Sequence, residues 1–323
     1  MSNDIFEVIR QDLVLLEDEL LQAVASPLEL VQDIGTHLVK SGGKRLRPAL
    51  YLLAAHSGPV FERPKVMPLA AAVELIHMAS LVHDDVIDHA DTRRGTITAN
   101  AKWGNQISVL SGDYIFARAF SLLAANEYGG RITGRLAELV CDLSSGEIMQ
   151  NRGIYQASRD VEEYYDRIAK KTADFLEICC EIGAIISQME EKSIQGLAAY
   201  GHAIGMAFQI TDDLLDITSD EKKIGKPAGN DIRQGIVTLP VIRALETSPD
   251  SAELEHIVTT RAMTDEQVAR ALTIVRASDG VAFAQARADA FLENARESLP
   301  AELPEHIARA YLEAAEFIGH RDF

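Results

Sequence analysis

Apolar residues in this 323-residue chain recur at three- and four-residue spacing almost throughout, while two-residue alternation of β-branched residues is nearly absent. That periodicity puts one apolar stripe on each of many helices and leaves little for a sheet, so the expected fold class is all-α. Leu13, Leu16, Leu20 and Leu21 outline one face of an opening helix. Asp160 with Glu163, and Thr264 with Gln267, have the spacing of capping boxes and predict helix starts. Gly42-Gly43, Gly58-Pro59, Gly129-Gly130, Gly225 to Pro227 and Ser248-Pro249-Asp250 punctuate the chain into segments of about 15 to 30 residues. No low-complexity linker divides them, so residues 1–323 read as a single domain, a large bundle of about ten or more helices.

Two apolar helical runs end in the same pattern, D-D-x-x-D: Asp84, Asp85 and Asp88 after Leu81-Val82, and Asp212, Asp213 and Asp216 after Gln209-Ile210. On a helix, Asp84 and Asp88 share a face one turn apart, as do Asp212 and Asp216, and like charges so placed repel by a few tenths of a kcal/mol per pair. In strongly apolar helices an unpaired carboxylate costs several kcal/mol more. One such pattern is commonly a solvated acidic helix end. Two of them, each followed by basic residues, call for a shared kind of partner. Oxygen ligands without histidine or cysteine suit magnesium, which completes its shell with water and phosphate oxygens.

Forty-nine acidic against 31 basic residues give a net charge of -18, which argues against a general affinity for nucleic acid. A phosphate-bearing substrate would then depend on local cations. Gly42-Gly43-Lys44-Arg45-Leu46-Arg47-Pro48 places a glycine turn before basic residues; Asp91-Thr92-Arg93-Arg94-Gly95 follows the first aspartate cluster by one loop; Lys170-Lys171-Thr172 falls in a predicted helix, and Lys226 follows the second cluster. Cys141, Cys179 and Cys180 form no CxxC pair and read as reduced thiols of a cytoplasmic protein. Met1 to Gln11 lacks the basic-then-apolar order of a signal peptide, and the longest apolar stretch, Pro68 to Val82, is shorter than the roughly 20 residues of a membrane span.

GGKRLRP, HDDVID, DTRRG, KKTADF, QITDDLLD and GKPAGND, in that order from about Leu38 to Pro240, resemble the trans-isoprenyl diphosphate synthases, and Ile318-Gly319-His320-Arg321 fits as well. Within that family, Glu74 to Val82 and the closing sequence are most similar to the heptaprenyl branch. The resemblance implies a helical bundle of the isoprenoid synthase type with a central cavity, and an ionisation, condensation and elimination mechanism. It implies that Asp84, Asp88 and Asp212 anchor Mg2+ ions gripping an allylic diphosphate, farnesyl diphosphate being the expected primer, with Asp85, Asp213 and Asp216 in support. Lys44, Arg47, His77 and Arg94 would hold isopentenyl diphosphate; Arg93, Lys171 and Lys226 would face the allylic diphosphate; Thr172 and Gln209 would line the reacting carbons. The released diphosphate is the expected proton acceptor. His77, taken alone, is an ordinary core histidine in an apolar helix, and only the resemblance assigns it to substrate. Two departures stand out: Ile236 replaces a lysine common in the family, and Thr96-Ile97 replaces Lys/Ser-Pro after the arginine pair.

Ala79 and Ser80 lie about one turn before Asp84, where short-product members of the family place a bulky aromatic. Ala70, Ala71 and Ala72 are about 18 to 21 Å from Asp84 along a helix, and a product of about 30 to 40 carbons, heptaprenyl favoured, is expected for quinone side chains. Alternatives are a shorter geranylgeranyl or farnesyl product, or a chain active only with a small partner protein. A terpene cyclase would carry an Asn/Ser/Glu second cluster and lack GGKRLRP, and a non-catalytic subunit would have lost a cluster. The resemblance also implies a homodimer, with at most peripheral membrane contact.

Overall fold

A computed structural model describes residues 7–93, 95–218 and 228–319. The described chain is helical almost throughout: α1 (Arg10–Ala23), α2 (Glu29–Lys40), α3 (Leu46–Ala55), α4 (Arg63–Ile87), α5 (Ala99–Trp103), α6 (Asn105–Asn126), α7 (Gly129–Gly153), α8 (Val161–Ile168), α9 (Asp174–Ile186), α10 (Glu191–Thr218), α11 (Asn230–Arg233), α12 (Leu239–Thr247), α13 (Ser251–Val258), α14 (Asp265–Ala277), α15 (Gly280–Ser298) and α16 (Glu305–Gly319). Its strands are two residues each, β1 (Thr92–Arg93) and β2 (Thr96–Ile97), paired antiparallel with Thr92 opposite Ile97. Two compact units divide the chain: Met1–Val140, Ile178–Ala198 and Pro300–Ala310 make the first; Cys141–Glu177, Ala199–Leu299 and Tyr311–Phe323 the second.

In the first unit α4 is the core. Leu69, Ala70, Ala71, Ala72, Val73, Leu75, Ile76 and Ala79 are all fully buried, because alanines let α6, α1 and α3 approach closely on several sides. By length and composition α4 and α6 could each cross a membrane, but 72% of α4's apolar window is buried in the protein. Gly183 on α9 lets that helix pass α3, since a Cβ there would fall 2.4 Å from the Tyr51 carbonyl oxygen. On α1, Leu16 and Leu20 are buried as expected, whereas Leu13 and Leu21 are half-buried. Asp12 is buried beside them and accepts from Arg63 Nε at 2.8 Å, with His56 Nε2 also at 2.8 Å.

The second unit packs α12 to α15 with the C-terminal part of α10 around Met206, Ile210, Leu214, Leu239, Val241, Ala271 and Ala284. Thr264 and Gln267 form the full reciprocal capping box. Asp160 caps α8 by accepting from the Glu162 and Glu163 amides, but Glu163 accepts from Ser158 instead of completing a box. Gly201 and Gly205 on α10 leave room for α9: added Cβ atoms would meet the Leu176 carbonyl oxygen at 2.5 Å and Ala173 Cα at 2.5 Å.

Candidate active site

Both aspartate clusters occupy the last turns of long helices, at the negative end of the helix dipole. Asp84 is half-buried in α4 and Asp88 is its exposed C-cap, its amide bonded to the Asp84 carbonyl at 2.8 Å. Asp212, Asp213 and Asp216 fall in the last two turns of α10. Carboxylates at that pole are disfavoured unless a cation joins them.

In the first unit, three of the motif segments meet in one recess of about 550 Å3, counted with its open mouth. Glu74, His77, Met78, Leu81, Val82 and Asp85 of α4 form one wall; Gly42, Arg45 and the end of α2 form another; Arg93, Thr96 and Ile97 of the hairpin close the third. Arg47 Nη1 lies 3.2 Å from His77 Nε2. A guanidinium only donates, so that ring nitrogen accepts and Nδ1 carries the proton. Lys44 is exposed. Ala79 is fully buried and Ser80 half-buried, its hydroxyl donating to the His77 carbonyl at 2.9 Å; neither borders the recess.

The central aspartate turns inward. Asp85 is buried and accepts from Arg93 Nε at 2.7 Å, so Arg93 is held by the first cluster's own carboxylate. The hairpin is pinned further: the Thr98 hydroxyl and Asn100 Nδ2 donate to the Ala90 carbonyl at 2.7 and 2.9 Å, and His37 Nε2 lies 2.9 Å from the Ile97 carbonyl oxygen. Gly95, at φ 75°, supplies the turn. Thr96-Ile97 therefore makes a regular two-residue ladder with Thr92-Arg93. Arg94 lies outside the described residues, as do Lys226, His320 and Arg321.

In the second unit, Lys171 and Thr172 lie in a π-helical turn, Ala169–Ala173, not in a continuous α-helix. Such turns widen one helical loop and re-aim its side chains. Here the Thr172 hydroxyl donates to Gln209 Oε1 at 2.9 Å, Gln209 Nε2 donates to Asp213 Oδ1 at 2.9 Å, and Tyr164 donates to Asp213 Oδ2 at 2.8 Å. Lys171 Nζ pairs with Glu147 at 2.5 Å, and Lys170 pairs with Asp166. Asp216 accepts the Asn230 and Asp231 amides, each at 3.0 Å, and so caps α11.

Burial pushes Asp213 up to about 6, against the pull of Gln209, Tyr164 and Arg167. Asp216 is raised too, by burial, despite three backbone donors. Asp231, to which sequence reasoning gave no role, is driven well above the carboxylate range by desolvation and then by Asp213 and Asp216. Its signal was present in the GND string that follows the second cluster. Asp212, Asp213, Asp216 and Asp231 are acids only, the donor chemistry that suits a hard divalent cation, although their oxygens do not gather within 4.8 Å of one another here.

Asp174, Glu177 and His202 form a separate group whose ligand atoms lie within 4.8 Å of one another. His202 Nδ1 is 3.4 Å from Asp174 and 3.1 Å from Glu177, which raise the imidazole to about 9. A protonated ring pairs electrostatically with both acids and is no ligand. It is an ion pair that ties α10 to α9.

Residues 28–275 match the sequence profile of the family described as polyprenyl synthetase. The chain belongs to that family. Among its polyprenyl synthetase relatives, the chain is 39% identical to heptaprenyl diphosphate synthase component 2 of Geobacillus stearothermophilus, over 98% of each chain. The fold is similar to a heptaprenyl diphosphate synthase crystal structure from Staphylococcus aureus, with a TM-score of 0.89 at 33% identity, covering 98% and 99% of the two chains. It is also similar to a polyprenyl synthase from Caulobacter crescentus crystallised with calcium and isoprenyl diphosphate, with a TM-score of 0.91 at 30% identity, covering 99% and 98%. Polyprenyl synthetases are metal-dependent prenyltransferases, and this chain is one by family. The matched span includes segments of both compact units.

Proposed function

We propose that the chain condenses isopentenyl diphosphate with an allylic diphosphate, farnesyl diphosphate being the primer, and extends it to a heptaprenyl-length product for quinone side chains. The observation that carries this reading is full-length similarity to a heptaprenyl synthase component, joined to a recess that gathers Gly42, His77, Asp85 and Arg93. Mg2+ ions are the proposed cations, held by Asp84 and Asp88 with Asp85 in support in the first unit, and by Asp212 with Asp213, Asp216 and Asp231 in support in the second. When bound, they supply Lewis-acid neutralisation of the departing diphosphate. Lys44, Arg47 and His77 bind and orient the isopentenyl diphosphate, and Arg93 is aimed by Asp85. Thr172 and Gln209, locked to each other and to Asp213, present fixed dipoles where positive charge develops on carbon. A cytoplasmic homodimer completes the proposal.

The Geobacillus relative is called component 2, which supports a second reading in which this chain turns over only with a small partner. Incubating the purified chain with farnesyl and isopentenyl diphosphates, with and without Mg2+, and sizing the extracted product separates these cases. A long-chain product that disappears on chelation is expected. No turnover with any allylic primer, alone or after adding a heptaprenyl synthase component 1, would sink the proposal.

A further inference from the structure

The three cations of GGKRLRP are not equivalent in the fold. Lys44 is exposed and Arg47 reaches His77, but the Arg45 side chain is 8% exposed and points inward. Its guanidinium is committed to the protein: Nε and Nη2 fork onto the two oxygens of Glu17 at 2.7 and 3.0 Å, Nη1 donates to Glu74 Oε1 at 2.7 Å, and Nη2 also donates to the Val39 carbonyl at 2.9 Å. These partners come from α1, α2 and α4. Glu74 is itself buried, one turn before His77.

The backbone at Arg45 is unusual as well. It is the N-cap of α3 at φ 48° and ψ 34°, the left-handed region that a side chain with a Cβ seldom adopts. Such a conformation persists where surrounding contacts over-determine it, and the four guanidinium bonds do so here. The left-handed residue sets the directions in which Lys44 leaves the turn before it and Arg47 leaves the first turn of α3.

We propose that Arg45 is a positioning residue for the isopentenyl diphosphate. It clamps the glycine turn in its left-handed form so that Lys44 and Arg47 address the diphosphate, and through Glu74 it holds the turn of α4 that carries His77. Arg45 touches no substrate. This rests on the reading that Lys44, Arg47 and His77 bind that diphosphate.

The test compares Arg45→Lys, Glu17→Gln and the paired Arg45→Gln/Glu74→Gln variant. The measurements are calorimetric titration with isopentenyl diphosphate, KM for each substrate, kcat and thermal midpoint. Lysine cannot reproduce the fork, so Arg45→Lys should weaken isopentenyl diphosphate about tenfold in Kd and KM, with kcat and the allylic KM within about twofold. Glu17 is half-exposed and Glu17→Gln keeps one oxygen acceptor, so that variant should fold even where Arg45→Lys does not, with a smaller shift in the same direction. The paired variant leaves no buried charge without its partner and tests the clamp itself. Isopentenyl binding unchanged in folded Arg45→Lys or Glu17→Gln, with only a lower midpoint, overturns the proposal. Arg47→Ala and Lys44→Ala run alongside. If they too leave isopentenyl binding untouched, the assignment of the diphosphate site has failed; if they weaken it and the Arg45 and Glu17 variants do not, only the clamp has.

Discussion

Tyr164 donates its hydroxyl to Oδ2 of Asp213 at 2.8 Å, both side chains being buried in the second unit. Burial and the neighbouring carboxylate push the phenol well above its usual value, so the hydroxyl keeps its proton and donates. With Gln209 on the other oxygen, Asp213 is held from two sides, and Thr172 is fixed through Gln209. Tyr164→Phe removes one hydrogen bond to a charged group, worth about 1.5–3 kcal/mol. Turnover should fall about 10- to 100-fold, with KM for isopentenyl diphosphate unchanged. Steady-state kinetics with both substrates checks it; wild-type kcat in a folded Tyr164→Phe protein would show that the network does not aim Asp213.

Asp84→Ala and Asp212→Ala each remove a carboxylate from the negative end of a helix, which relieves repulsion in the metal-free protein. Urea midpoints should stay close to wild type, while turnover falls by about 10²- to 10³-fold or more. Near wild-type rates in either variant would contradict the metal role.

The His202 ion pair predicts a pH effect on stability. Its folded value is raised from 6.5 to about 9, so its contribution is fully present below 6.5 and is lost as pH rises through 9. The ring is more than a third exposed, so after allowance for solvent screening the contribution is about 1 kcal/mol. His202→Gln should be less stable than wild type by about that amount at pH 6, and the gap should close by about pH 10. An equal gap at both pH values would mean that the ring acts by packing.

Ala79 is fully buried on α4, one turn before the first aspartate cluster. Ala79→Tyr should shorten the product sharply, read as an earlier cut-off in the ladder of extracted prenyl alcohols. Filling a packed position also costs about 1–3 kcal/mol, visible as a lower unfolding midpoint. A destabilised enzyme with an unchanged ladder would dispose of a chain-length role for Ala79.

Much of this was legible because the signals are local. Helical periodicity, the two D-D-x-x-D strings and the Thr264–Gln267 box need only neighbours within a turn, and all three appear in the fold. What escaped depends on partners far along the chain. Asp12 is buried because His56 and Arg63 sit 44 and 51 residues away. Arg45 reads as one more phosphate-facing cation until Glu17 and Glu74, 28 and 29 residues away, turn it inward. The β1–β2 ladder is two residues per strand, too short for alternation to register. The π turn at Ala169–Ala173 leaves no mark in composition.

The polarity of α4 and α10 constrains the order of events. A naked pyrophosphate approaching the last turn of either helix meets the negative pole of its dipole and a cluster of carboxylates, and is repelled. The allylic substrate has to arrive already neutralised, as a salt of its divalent ion, or find that ion waiting. Free chelating anion should therefore strip the catalyst rather than occupy it, and excess substrate over metal should slow the reaction it is meant to feed.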